Sequence, residues 1–263
     1  MNQTKFLQKY GSWAIVTGAS NGIGKEFAIQ LAKIGFNVVL VARRKGLLEE
    51  LSEQLESSYC TKCMSINLDL SHSDAANILD EMTSHLDIGL IVSNAGFGTS
   101  GKLIESKIDV EKNLVDLNCR SLMELSYIYG QKFAKKKRGG IILISSLLGF
   151  VGIPGSANYA ASKAFVQSFG EGFHSEMKPY NVDVLTVAPG PVHTGFAEKA
   201  NMKFILALSP ENVAKDSINA LGKKITLLPG FLTKFLYFSL QPLLLRNLKI
   251  MVMGFVMKTM IKK

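Results

Sequence analysis

Tyr159 and Lys163 stand one helical turn apart in a segment, 159–178, whose residue spacing predicts a helix. Reducing a carbonyl requires a hydride at carbon and a proton at oxygen; oxidising an alcohol requires the reverse. A free tyrosine, with a pKa of about 10, is scarcely ionised at neutral pH, so it needs tuning to act in the oxidising direction. The Lys163 ammonium is expected to favour phenolate by Coulomb attraction, and each pKa unit gained corresponds to about 1.4 kcal/mol. Ser146 follows a predicted strand over 141–145, where its hydroxyl is placed to hydrogen-bond a substrate oxygen beside Tyr159. Singly, a helix-surface Tyr with an i+4 Lys and a strand-end Ser bonded to backbone are commonplace. Their conjunction with a nucleotide motif is not.

That motif is the run Thr17, Gly18, Ala19, Ser20, Asn21, Gly22, Ile23, Gly24, which joins a first apolar run beginning at Trp13 to a first helix. Glycines there let a pyrophosphate approach the backbone, and the helix start offers unpaired N–H groups and a positive dipole end. The second strand, 38–42, runs into Arg43 and Arg44, whereas a carboxylate would suit the ribose hydroxyls of NAD. Two guanidinium groups suit a 2′-phosphate, so NADP(H) is the expected cofactor. The alternative is a pair of solvated arginines on a surface loop.

Positioning these groups falls to alternating elements. Helical spacing at Ile23, Phe27, Leu31 and Ile34 stops at Gly35, and further helices are predicted over 47–57, 73–83, 109–137 and 159–178. Strands are predicted from residue 13 and over 38–42, 63–67, 88–93, 141–145 and 182–188. Most are continuous apolar runs, as expected where helices cover both faces of a parallel sheet. The expected fold is α/β, a doubly wound, mostly parallel, Rossmann-type sheet over 13–225, preceded by a polar lead over 1–12 and followed by an apolar, basic helical extension over 226–263.

With these motifs the chain resembles the classical short-chain dehydrogenase/reductase family over about residues 13 to 222. Residues 17–24 match its TGxxxGxG pattern, and Ser93, Asn94, Ala95, Gly96 match NNAG with Ser in place of the first Asn. Tyr159 to Lys163 is its YxxxK; Ser146 and Asn118 fall 13 and 41 residues before the tyrosine, at the family's usual intervals. Pro189 to Thr194 is similar to PGxVxT, the stretch that closes over the nicotinamide. The resemblance implies catalytic roles for Asn118, Ser146, Tyr159 and Lys163, with Lys163 also holding the nicotinamide ribose and Asn118 ordering a proton-relay water. It implies cofactor contacts from Gly18, Ser20, Asn21, Gly22, Ile23, Gly24, Arg43, Arg44, Asp69, Leu70, Asn94, Ala95, Gly96, Tyr159, Lys163, Pro189, Gly190, Val192 and Thr194. Within the family, the sequence is most similar to members related to hydroxysteroid and long-chain 3-oxoacyl reductases.

Composition narrows the class and the partners. With 47% apolar and 19% charged residues, the 263-residue chain is neither disordered nor collagen-like, and three cysteines give no disulfide framework. The net charge of +9 is concentrated in the tail. Residues 223–263 hold eight Lys or Arg and no Asp or Glu, leaving 22 basic and 21 acidic groups for the other 222 residues. Apolar residues between those charges suit an anionic lipid surface better than nucleic acid, which is not an expected partner. Apolar spacing at Leu228, Phe231, Leu232 and Phe235, and at Leu244, Leu248, Met251, Val252 and Phe255, predicts two amphipathic helices. The longest uncharged stretch, 235–245, is too short to span a bilayer. These helices are expected to lie on a membrane or to cap the substrate site or an oligomer contact.

Leu147, Leu148, Phe150, Val151 and Ile153, with Phe196, Met202, Phe204, Ile205 and Leu206, are expected to line the substrate side. Neither stretch clusters Arg or Lys, so a lipophilic carbonyl or alcohol fits, with core or interface packing as the alternative. Cys60 and Cys63 lack further ligands for a metal, and none is expected. His193 reads as surface and the run 135–138 as a solvated helix end. No secretory signal is visible, so a cytoplasmic protein, peripheral at most on a membrane and a homo-oligomer, is expected. The main reading is an NADP(H)-dependent oxidoreductase; the rivals are an NAD-linked alcohol dehydrogenase and a nucleotide-binding membrane scaffold without turnover.

Overall fold

A computed structural model describes residues 3–195, 207–240 and 250–251. Seven strands, β1 (Trp13–Thr17), β2 (Asn37–Ala42), β3 (Cys63–Asn67), β4 (Ile88–Ser93), β5 (Gly139–Ile144), β6 (Val182–Val187) and β7 (Thr226–Leu227), form one sheet. Its order is β3-β2-β1-β4-β5-β6-β7, and every neighbouring pair is parallel. The helices are α1 (Gln3–Tyr10), α2 (Gly22–Lys33), α3 (Lys45–Tyr59), α4 (Ala75–Met82), α5 (Ile108–Val115), α6 (Leu122–Lys136), α7 (Ala157–Met177), α8 (Pro210–Ala220) and α9 (Gly230–Leu240).

The strands carry apolar side chains at successive positions because both faces of the sheet are covered. Even-numbered Ala14, Val16, Val38 and Leu40 join a core with Phe27, Leu31, Leu48 and Leu55, whereas Ile15, Val39, Val41 and Ile91 join another with Leu79, Leu125, Tyr129 and Phe133. The period of two sends each neighbour to the opposite core. β1 lies between β2 and β4, so the winding direction reverses there. Ligands of open α/β sheets bind outside the carboxyl ends of strands at such a switch point. Thr17 and Ser93 end β1 and β4 beside it, and Ile144 ends β5, the next strand.

Four segments differ from the sequence expectations. The polar lead contains α1, whose Phe6 and Tyr10 are buried four residues apart, and Tyr10 Oη donates to Asp183 Oδ2 at 2.6 Å. Two aromatics among polar residues are too few to register as an apolar stripe. The helix expected over 109–137 begins at Ile108, passes through a π-helical segment, Asp116–Ser121, and continues as α6. β7 lies just beyond residue 225, where the sheet was expected to end; its two residues pair with Thr186 and Val187. The strand expected over 141–145 starts two residues earlier and ends at Ile144. Gly35 does end α2, at a φ of +93°. Among the described residues, no helix is long and apolar enough to cross a membrane.

Candidate active site

The nucleotide end of the site is built by close approach of backbone. Thr17 Oγ1, at the end of β1, accepts from the Asn94 and Ala95 amides at 2.9 Å each and is within 3.3 Å of Val92 O, so it joins the ends of β1 and β4. Asn94 Nδ2 donates to Thr17 O at 3.0 Å and lies under the glycine turn. A Cβ on Gly24 would meet Gly18 O at 2.3 Å and Asn94 Nδ2 at 2.5 Å; one on Gly22, at φ +58°, would meet Thr194 Cγ2 at 2.8 Å. Only glycine leaves the cradle open at these two positions. Asn21 caps α2, its Oδ1 accepting from Gly22 N at 2.7 Å, and the first-turn amides of that helix face the turn. These residues fit a pyrophosphate in shape and in donor chemistry.

The ends of β2 and β3 border this cradle. Arg44 donates to Ser20 Oγ at 2.8 and 3.2 Å, and Arg43 Nη1 pairs with Asp69 Oδ2 at 3.3 Å. Ser71 amide and hydroxyl also bond Asp69; with Arg43 they hold its carboxyl below the usual range, although partial burial opposes them. Leu70 is buried beside it. Both arginines are exposed at the rim and make these hydrogen bonds there.

Beyond β5 lies the reacting end. Ser146 is buried and caps a short 3-10 turn, Leu147–Phe150, its Oγ accepting from Leu148 N at 3.2 Å. The same hydroxyl hydrogen-bonds Tyr159, so the backbone and the phenol share it. Tyr159 is 7% exposed and Lys163 5%; Lys163 Nζ donates to Ile144 O at 2.9 Å and sits 5.8 Å from the centroid of the Tyr159 ring. Burial pushes the phenol up to about 12, with the Ser146 bond opposing the rise, and pushes the ammonium down to about 8. The expectation that Lys163 makes Tyr159 more acidic is therefore corrected for the protein alone. Desolvation penalises both charged forms, and the ammonium is directed to a backbone carbonyl.

Asn118 lies in the π-helical segment. Its Nδ2 donates to Phe97 O at 2.9 Å and Ser162 Oγ at 3.0 Å, while Oδ1 accepts from Phe97 N at 3.1 Å. It thereby links the loop after β4 to α7, and a Cβ on Gly96 would meet its Oδ1 at 2.8 Å and Lys163 Nζ at 3.6 Å. π turns recur at functional sites because the added residue redirects a side chain. The segment after β6 completes the enclosure. Leu147 N donates to Pro189 O at 2.9 Å, Val192 bridges Leu208, and Gly195 and Thr194 lie over Asn21 and Gly22.

Thr17, Ser162 and Thr233 were not singled out from the sequence. Thr17 and Ser162 lie inside the recognised motifs, so the motifs themselves were the available signal. Thr233 of α9 had none: the residue is 1% exposed, and its Oγ1 accepts from Gly190 N at 3.1 Å. Near it, Tyr237 packs edge-on against Phe150 with ring centroids 4.8 Å apart. Leu147, Leu148, Phe150 and Val151 are half-buried and Ile153 is buried. Phe196, Met202, Phe204, Ile205 and Leu206 lie outside the described residues, as do Leu244, Leu248, Val252 and Phe255.

His193 is exposed. Cys60 is exposed and Cys63 half-buried, its thiol pushed up to about 11 by burial, and no metal-binding cluster exists among the described residues. Within 135–138, Lys136 and Arg138 pair with Asp87 at 2.8 Å, so this helix end is tied to the start of β4 rather than merely solvated.

Comparison with known proteins places this geometry in a family. The model of the short chain dehydrogenase family matches residues 12–203. A 7beta-hydroxysteroid dehydrogenase of Clostridium sardiniense is 38% identical over 235 residues, covering 87% of this chain and 89% of the relative. A very-long-chain 3-oxoacyl-CoA reductase of Podospora anserina is 33% identical over 226 residues, 82% of this chain and 66% of the relative. Among solved structures, one from a study of 7beta-hydroxysteroid dehydrogenase stereoselectivity superposes with a TM-score of 0.89 at 26% identity, over 96% of this chain and 99% of that one. A short-chain dehydrogenase of Sphingobium yanoikuyae in complex with NADPH shares the fold, with a TM-score of 0.79 at 24% identity over 87% and 91%. The chain belongs to the short-chain dehydrogenase/reductase family of oxidoreductases.

Proposed function

We propose that this enzyme interconverts a lipophilic ketone or aldehyde and its alcohol using NADP(H), with Tyr159 as the acid and base. The observation that carries the proposal is the meeting of Ser146, Tyr159 and Lys163, all buried, beside a glycine cradle at the switch point of the sheet. When bound, the nicotinamide supplies or accepts the hydride. Gly18, Ser20, Asn21, Gly22, Ile23 and Gly24 would hold its pyrophosphate, Asp69 and Leu70 its adenine side, and Asn94, Ala95, Gly96, Pro189, Gly190, Val192 and Thr194 its nicotinamide side. Arg43 and Arg44 would receive the 2′-phosphate.

Ser146 orients the substrate oxygen towards Tyr159 while charge develops there. A phenol held protonated by burial is in the form that donates, so the protein alone favours proton delivery to a carbonyl oxygen. Lys163 holds its proton weakly, and its bond to Ile144 O fixes the ammonium beside the Tyr159 ring. Asn118 keeps the path between α7 and the loop after β4 in register. The half-buried apolar turn 147–151 supports a lipophilic substrate, as do the hydroxysteroid and long-chain oxoacyl substrates in the names of the relatives.

Val115, Met123 and Tyr127 on α5–α6 and Phe165 on α7 are exposed apolar side chains and support a homo-oligomer across those helices. The basic stretch 223–263 supports peripheral contact with the cytoplasmic face of a membrane. Purified protein with NADPH or NADH, assayed against steroid, acyl and aromatic ketones, tests the central proposal. Consumption of NADPH well above NADH with at least one bulky ketone is expected. No turnover with any ketone or with the corresponding alcohols would overturn it and leave the scaffold reading.

A further inference from the structure

The helix α9 presents two different faces. Thr233 and Tyr237, one turn apart, point inward to Gly190 and Phe150 and so fix the rotation of the helix about its axis. That rotation turns Phe231, Phe235 and Phe238 outward, 82%, 57% and 61% exposed, with Lys234 exposed between them. Phe231 and Phe235 stack at 6.3 Å, making one continuous aromatic stripe. Three adjacent exposed aromatics form a contact surface, not scattered surface residues.

Charge identifies the occupant. The sequence that contains the stripe, 223 to 263, has eight basic residues and no acidic one, and Lys234 stands exposed among the three rings. A second copy meeting the stripe about a two-fold axis would bring like-charged stretches together, which is unfavourable. An aromatic stripe flanked by cations is the composition of a helix lying in the headgroup region of an anionic bilayer.

We propose that the Phe231, Phe235 and Phe238 face of α9 docks on an anionic lipid surface and that the enzyme takes its lipophilic substrate from that surface. This deepens, and its second half rests on, the carbonyl chemistry proposed above. The inner face of the same helix touches Phe150, in the turn that follows Ser146. The substrate wall therefore lies about one helix diameter, roughly 10 Å, from the lipid. An apolar substrate entering there leaves the bilayer for an apolar wall without full exposure to water.

The test uses the full chain with phosphatidylcholine vesicles, prepared with or without phosphatidylserine. The parent protein should sediment with the phosphatidylserine vesicles, and added salt should release it. A variant carrying Phe231→Ser, Phe235→Ser and Phe238→Ser should bind them at least about tenfold more weakly, with melting temperature and subunit count unchanged. It should also lose about tenfold in turnover of a long-chain ketone dissolved in the vesicles, but keep its rate with a short, water-soluble ketone. Equal sedimentation of parent and variant, or none by the parent, overturns the docking. So does a lowered subunit count in the variant, which assigns the stripe to a second copy. Equal loss on both ketones overturns uptake from the lipid. If the parent turns over neither ketone with NADPH, the carbonyl proposal falls and the uptake with it, while sedimentation still decides the docking.

Discussion

The two ends of the crevice are held together by different physics. At the nucleotide end, backbone meets backbone: Gly24 against Gly18 O, and the Thr17 hydroxyl joined to two amides of the segment after β4. At the substrate end, contacts run between side chains from distant parts of the chain, such as Tyr237 on Phe150, or between a side chain and a distant backbone group, such as Thr233 on Gly190. The first arrangement tolerates almost no change of residue, because a methyl group has nowhere to go. The second tolerates many, because side chains of similar volume repack at small cost. A fold built this way keeps one cofactor site while its substrate wall is free to vary, and the relatives named for hydroxysteroid and very-long-chain 3-oxoacyl-CoA substrates fit that division.

Substitutions at the two ends sharpen the contrast. Gly24→Ala should abolish measurable NADPH binding and lower the melting temperature, both checked by titration and thermal unfolding; an alanine that binds normally would end the claim of a backbone-limited cradle. Tyr159→Phe should lower kcat by about 10²- to 10⁴-fold while leaving NADPH affinity within a few-fold, measured by steady-state kinetics beside cofactor titration. Arg44→Ala should weaken NADPH about ten- to a hundredfold and leave NADH unaffected, in keeping with roughly 1.5 to 3 kcal/mol for a charged hydrogen bond.

At the substrate end, Thr233→Val leaves the Gly190 amide without its acceptor, and a rise of about tenfold in KM is expected, restored by Thr233→Ser. A valine variant with unaltered KM would show that α9 does not govern the site. The smallest effect concerns pH. The folded-state pKa of Lys163, about 8, is below its unfolded value, so the folded protein binds fewer protons between pH 8 and about 10.5 and stability rises through that window. Tyr159, raised to about 12, acts oppositely and only above pH 10 or so. Melting temperature in the absence of cofactor should therefore gain a few degrees from pH 8 to 9, before the buried Cys63 thiol, raised to about 11, begins to oppose the rise, and Lys163→Met should remove that gain.

The same difference decided what could be read from the sequence. Glycines at 18, 22 and 24, and Asn94, hold positions where only one residue type works, so pattern and spacing expose them. The strands were legible because burial on both faces forces continuous apolar runs, as in Ile88–Ser93. α1 was missed because two buried aromatics, Phe6 and Tyr10, hold it while the residues between them are polar. The effect of Lys163 on Tyr159 was misjudged because i+4 spacing gives proximity but not burial, and burial dominates both groups. Thr233 acts across 43 residues of sequence, a contact that no local pattern encodes.

The π-helical segment Asp116–Ser121 has a consequence for how this chain can change length. A wider turn behaves as a single inserted residue whose phase shift is absorbed locally, so Leu114 and Leu122 on either side are both buried despite the slip. Deleting one residue between 116 and 121 would let the helix wind uniformly and would swing the Asn118 amide out of register with Phe97 and Ser162. A length change that many exposed helices tolerate would here unlatch the loop after β4 from α7.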